Sequence, residues 1–70
     1  MNTDEFIILE AALKDPRGEV DIDPHGRTTM SMIAWDLQHK GYLQNSGDIF
    51  YITEKGKKHI EKALEERLKG

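Results

Sequence analysis

A single α+β domain, in the order helix, strand, helix, β-hairpin, helix, is what three features of this 70-residue chain predict. A chain this short cannot divide its apolar side chains between two cores, so one domain spans 1–70. Apolar residues recur at helical spacing in three stretches, near 4–14, 28–40 and 53–68. Two runs rich in aromatic and branched residues, Tyr42-Leu43-Gln44 and Asp48-Ile49-Phe50-Tyr51-Ile52, flank the turn-forming Asn45-Ser46-Gly47.

The first helix covers Asp4 to Lys14, with acids early and a lysine late, as the helix dipole favours. Asp15-Pro16-Arg17-Gly18 stops it, because proline cannot extend the hydrogen-bond ladder. In Glu19-Val20-Asp21-Ile22-Asp23 apolar and acidic residues alternate, which predicts a short strand with Val20 and Ile22 inward and Asp21 and Asp23 on a solubilising edge. Pro24-His25-Gly26 ends the strand. Thr28 or Thr29 caps the second helix, which runs to about Lys40 and turns Met30, Ile33, Ala34 and Leu37 inward until Gly41 stops it. Leu43, Phe50 and Ile52 share the buried face of the hairpin. Thr53 caps the third helix, whose stripe of Ile60, Ala63, Leu64 and Leu68 is expected to fold back across the hairpin and bury its leucines beside the second helix.

Apolar residues make up 37% of the chain, enough for one thin core and too few for a deep substrate cavity. Without cysteine, disulfides, thiolate zinc sites and thiol catalysis are absent. His25, His39 and His59 have no carboxylate at a metal-ligand spacing, and the glycines form no phosphate-cradling loop, so neither a metal nor a cofactor is expected and the protein reads as non-enzymatic. The acidic start Met1-Asn2-Thr3-Asp4-Glu5 does not look like a signal peptide, and no apolar run approaches a membrane span; a cytoplasmic protein without membrane contact is expected. The net charge of −3 hides an asymmetry. Residues 1–26 carry seven acids against Lys14 and Arg17, a net −5, whereas residues 53–70 carry six bases against four acids, a net +2. A polyanion should avoid the front of the chain.

The element order, the step Gly41-Tyr42-Leu43, and the stretch Tyr51-Ile52-Thr53-Glu54-Lys55-Gly56 after a short hairpin resemble the winged helix-turn-helix superfamily of small bacterial, archaeal and phage domains, over residues 5–68. The resemblance implies that Thr28 to Lys40 is the recognition helix and that Tyr42 to Ile52 is the wing. One departure is plain: the helix that should precede the recognition helix has only Asp23 to Arg27 available, so it is shortened or missing. The implied function is DNA-binding transcription regulation, with double-stranded DNA as partner and a homodimer as the acting form.

On that reading Arg27, Thr28, Thr29, Ser31 and Gln38 face the groove and Lys40, Lys55 and Lys58 meet phosphates. The helix offers few base-reading side chains, however, and the wing tip Asn45-Ser46-Gly47-Asp48 has no cation. The alternative is a protein-protein interaction module on the same frame, in which Met32, Trp35, Tyr42 and Tyr51 form an apolar surface. The plain reading of Trp35 is packing under the wing or against the segment near Pro24, and that of the lysines is a solvated helix face.

Overall fold

The computed structural model describes the backbone of residues 3–69 and the side chains of residues 3–68; Met1, Asn2 and Gly70, the ends of the expected domain, lie outside it. The elements are α1 (Thr3–Lys14), β1 (Glu19–Val20), α2 (Thr29–His39), β2 (Leu43–Ser46), β3 (Ile49–Ile52) and α3 (Glu54–Lys69). This is the expected α+β order, a winged-helix-like arrangement. The antiparallel sheet runs β1-β3-β2, with Val20 opposite Phe50 and Leu43 opposite Ile52. No helix stands between Val20 and Thr29.

Local chemistry sets most boundaries. After α1 the Asp15 carboxylate accepts the backbone N–H groups of Arg17 at 2.8 Å and Glu19 at 3.0 Å, which aims the chain into β1. Those bonds, from Glu19 first and then Arg17, hold the Asp15 carboxyl below its ordinary pKa of 3.8. A depressed carboxyl contributes stability above its unfolded pKa and loses it as the pH falls through the folded value. Asp15→Ala is therefore expected to melt at a lower temperature than the parent at neutral pH, and the gap should narrow as the solution is acidified below about pH 4. A gap that stays constant on acid titration would count against it.

Strand β1 is shorter than predicted. The Ile22 N–H donates to the Val20 carbonyl at 3.1 Å, turning the chain out of the ladder, and Pro24 has no N–H to rejoin it. Ile22 is consequently only half-buried. Thr28, not Thr29, caps α2: its backbone is extended (φ −86°, ψ 161°) and its hydroxyl accepts the Ser31 N–H at 3.2 Å. At the other end the Tyr42 N–H reaches back to the Leu37 carbonyl at 2.9 Å and Gly41 adopts φ 87°, a Schellman close that glycine permits without strain.

The core is made by Phe6, Ile8, Leu9 and Ala12 of α1, Val20, Ala34 and Leu37 of α2, Leu43, Phe50, Ile52, and Ile60 of α3. Helix α3 packs along α1 and against β3, and its Leu64 packs against the core to which α2 contributes Ala34 and Leu37. The Arg67 guanidinium covers the Phe6 ring at 3.9 Å from the ring centre. At 3.6 residues per turn Arg67 falls close to the direction of Ile60, while Leu68 lies about 80° round from it. Arg67, itself exposed, lays its long side chain over Phe6, while Leu64 is half-buried and Leu68 is 89% exposed.

Candidate interaction surface

The outer face of α2 and the junction where α2 hands over to α3 hold most of the residues singled out in the sequence. Their placement divides them. Ser31 is a correction: it is 2% exposed, with its hydroxyl donating to the Asp23 carbonyl at 2.8 Å and lying 3.1 Å from the Thr28 hydroxyl. It ties the 21–28 loop to α2 and cannot face a groove. Thr28 uses its hydroxyl as the helix cap. Arg27 and Thr29 are exposed at the start of α2 and Gln38 is half-buried near its end.

Lys40, Lys55 and Tyr42 come together. The Lys40 ammonium is 3.0 Å from Glu5 Oε1 and 3.0 Å from Asp36 Oδ2. Hydrogen bonding to Glu5, then to Asp36, raises it above its ordinary pKa of 10.5. The Lys55 ammonium donates to the Lys40 carbonyl at 3.0 Å, satisfying the exposed end of α2, and stands 5.4 Å from the centre of the Tyr42 ring. His59 stacks on Tyr42, with ring centres 4.2 Å apart and planes within 8°. Lys58, its neighbour, is exposed. Arg27 is separated from this cluster by the length of α2, roughly 16 Å. One continuous basic strip from Arg27 through Lys40 to Lys58 is therefore not formed. The Asp36 to Lys40 pair was visible as an i, i+4 spacing; Glu5, 35 positions earlier than Lys40, carried no such signal.

The expected apolar surface is also dispersed. Trp35 is half-buried, its indole N–H donating to the Pro24 carbonyl at 2.8 Å and its ring edge-on to Phe50 at 5.0 Å. Both parts of the plain reading hold, packing under the wing and against the segment near Pro24, so Trp35 is no exposed anchor. Tyr42 is engaged by His59, and Tyr51 stands in the sheet between Glu19 and Gln44. Met32 alone of the four projects freely, at 69% exposure. With Thr29, Asp36 and His39 it makes the outer stripe of α2, which is exposed throughout.

The wing closes at Gly47 and Asp48, and its strands extend to Ser46 and Ile49. Among the described residues no group of three or more His, Asp or Glu could hold a metal ion, and no helix is long and apolar enough to cross a membrane. No protein-family model, curated protein or solved structure matches this chain.

Proposed function

We propose that this chain is a non-enzymatic protein-protein interaction module on a winged-helix frame, cytoplasmic, with the outer stripe of α2 as its contact face. The observation that carries this reading is the composition of that stripe. It presents Thr29, Met32, Asp36 and His39, with an exposed methionine near the centre, and the nearby Lys40 is held by two carboxylates. Major-groove readers usually place arginine, lysine, asparagine or glutamine there, and of that stripe only Thr29 carries a hydroxyl that can read a base edge. A flexible thioether beside a carboxylate suits an adaptable protein contact.

A second reading, duplex DNA bound by a transcription regulator, draws support from the order of the elements and from Lys40, Lys55 and Lys58 near the junction of α2 and α3. One experiment separates the two. A photo-crosslinking residue at position 32 is expected to give one discrete protein adduct in cells, lost when Asp36 is changed to lysine. Purified protein is expected to leave labelled duplex unbound at low salt. Duplex affinity that falls steeply with added salt would replace the first reading with the second.

A further inference from the structure

The 21–28 loop crosses the start of α2 without forming a helix, and between the two lies an open notch enclosing about 310 Å³. Ile22 and Met30, both half-buried, give it an apolar floor, and the carboxylates of Asp21 and Asp23 stand exposed on its rim. Hydrogen bonds hold its wall in place. The Ser31 hydroxyl donates to the Asp23 carbonyl at 2.8 Å, the Gly26 N–H to the same carbonyl at 3.1 Å, and the Trp35 indole to the Pro24 carbonyl at 2.8 Å. A wall already ordered loses little conformational entropy when something docks against it.

Charge on the rim selects what the notch can receive. Glu5, Glu10, Asp36 and Glu54 each pair with a lysine, whereas among the described residues no cation pairs with Asp21 or Asp23. Arg17 and Arg27, the cations that flank the loop in sequence, do not line the notch. Two uncompensated carboxylates beside an apolar floor repel phosphate and acidic groups and attract a cation with an apolar stem or neighbour. The volume is at the lower bound of small-molecule sites and suits one or two side chains. The notch also reaches Thr28, next to Thr29, where the outer stripe of α2 begins. We propose that it receives a basic, apolar segment of a protein partner, with one leucine-sized side chain on Ile22 and Met30 and a lysine or arginine beside it on Asp21 and Asp23. This gives the partner of the interaction module its chemistry, and it rests on that reading of the chain.

The test is an amide chemical-shift titration of the full chain at low salt with three capped pentapeptides, Gly-Lys-Leu-Arg-Gly, Gly-Lys-Gly-Arg-Gly and Gly-Glu-Leu-Glu-Gly. The first is expected to shift the amides from Asp21 to Met30 with a dissociation constant of about 1 mM. The second should bind at least tenfold more weakly, and the third should leave those amides unmoved. Asp21→Lys, at an exposed position that should keep the parent's circular dichroism, is expected to weaken the first peptide at least tenfold, and Met32→Ser to leave it unchanged. No shift with the first peptide at about 10 mM overturns the proposal. So does equal binding of the second, which would make the contact one of charge alone, or binding that survives Asp21→Lys. Broadening of the same amides that grows with protein concentration before any peptide is added, and is relieved by Asp21→Lys, would put a second copy of the chain in the notch and overturn the partner. A position-32 adduct that persists in cells when the peptide does not bind sinks the notch alone. Peptide binding without that adduct sinks the α2 stripe and leaves the notch standing.

Discussion

Gly56→Ala is expected to destabilise the protein by about 2–3 kcal/mol, although alanine in place of glycine normally stabilises a helix by about 1 kcal/mol. The reversal of sign comes from one close approach. Gly56 sits in the first turn of α3, buried, where a Cβ would collide with the backbone carbonyl oxygen of Tyr42 and lie 2.9 Å from Ile52 Cγ1. A carbonyl in the backbone cannot swing aside as a side chain can, and this one is fixed by accepting the Thr53 N–H at 3.1 Å. The Thr53 hydroxyl adds to the clamp by donating to the Gly41 carbonyl at 2.6 Å and accepting the Gly56 N–H at 3.0 Å. For a domain of this size the loss corresponds to a fall in melting temperature of about 10–20 °C, readable by circular dichroism. An unchanged or raised melting temperature would show that the junction tolerates a methyl group and that α3 is less tightly joined to the hairpin than described.

Trp35→Ala is expected to cost about 2–4 kcal/mol, a large part of the stability available to so small a domain. Two losses combine. The edge-on contact with Phe50, itself fully buried, disappears, and the Pro24 carbonyl loses its indole donor on a residue that is also buried. Trp35→Phe should fall between the two, since a ring remains against Phe50 while the N–H does not. Urea titration followed by circular dichroism measures both. If Trp35→Ala left the transition midpoint unchanged, the indole would be a surface group and its bond to Pro24 would not be needed to hold the 21–28 loop. The same result bears on function, because an interaction surface anchored on Trp35 requires a side chain that can be removed without harm to the fold.

The parts of this protein that were readable in advance are those governed by near neighbours. Thr28 and Gly41 begin and end α2 through bonds that span only a few residues, and Thr53 starts α3 in the same way. Alternation in Phe50-Tyr51-Ile52 separated the buried face of the hairpin from Tyr51. The candidate site was less readable. Ser31 looked like a groove-facing hydroxyl because its partner, the Asp23 carbonyl, is brought to it by a loop whose path has no periodic pattern. Lys40 looked like a free cation because Glu5 meets it only once α1 is packed.

Spacing and composition along the chain were enough to predict a small α+β fold with a paired ribbon, since each helix and the β2–β3 ribbon are stabilised by contacts within a turn or across a hairpin, whereas β1 meets β3 only through packing distant in the chain. Which side of the body α3 occupies, and which charges and apolar groups remain uncovered, depended on packing between segments distant in the chain. Arg67 lies over Phe6 while Leu68 stands in solvent, and Trp35 lies edge-on to Phe50. Helical periodicity identifies a face within one helix, but the choice of partner for that face depends on shape and burial summed over all the elements, and no stretch of neighbouring residues carries that sum.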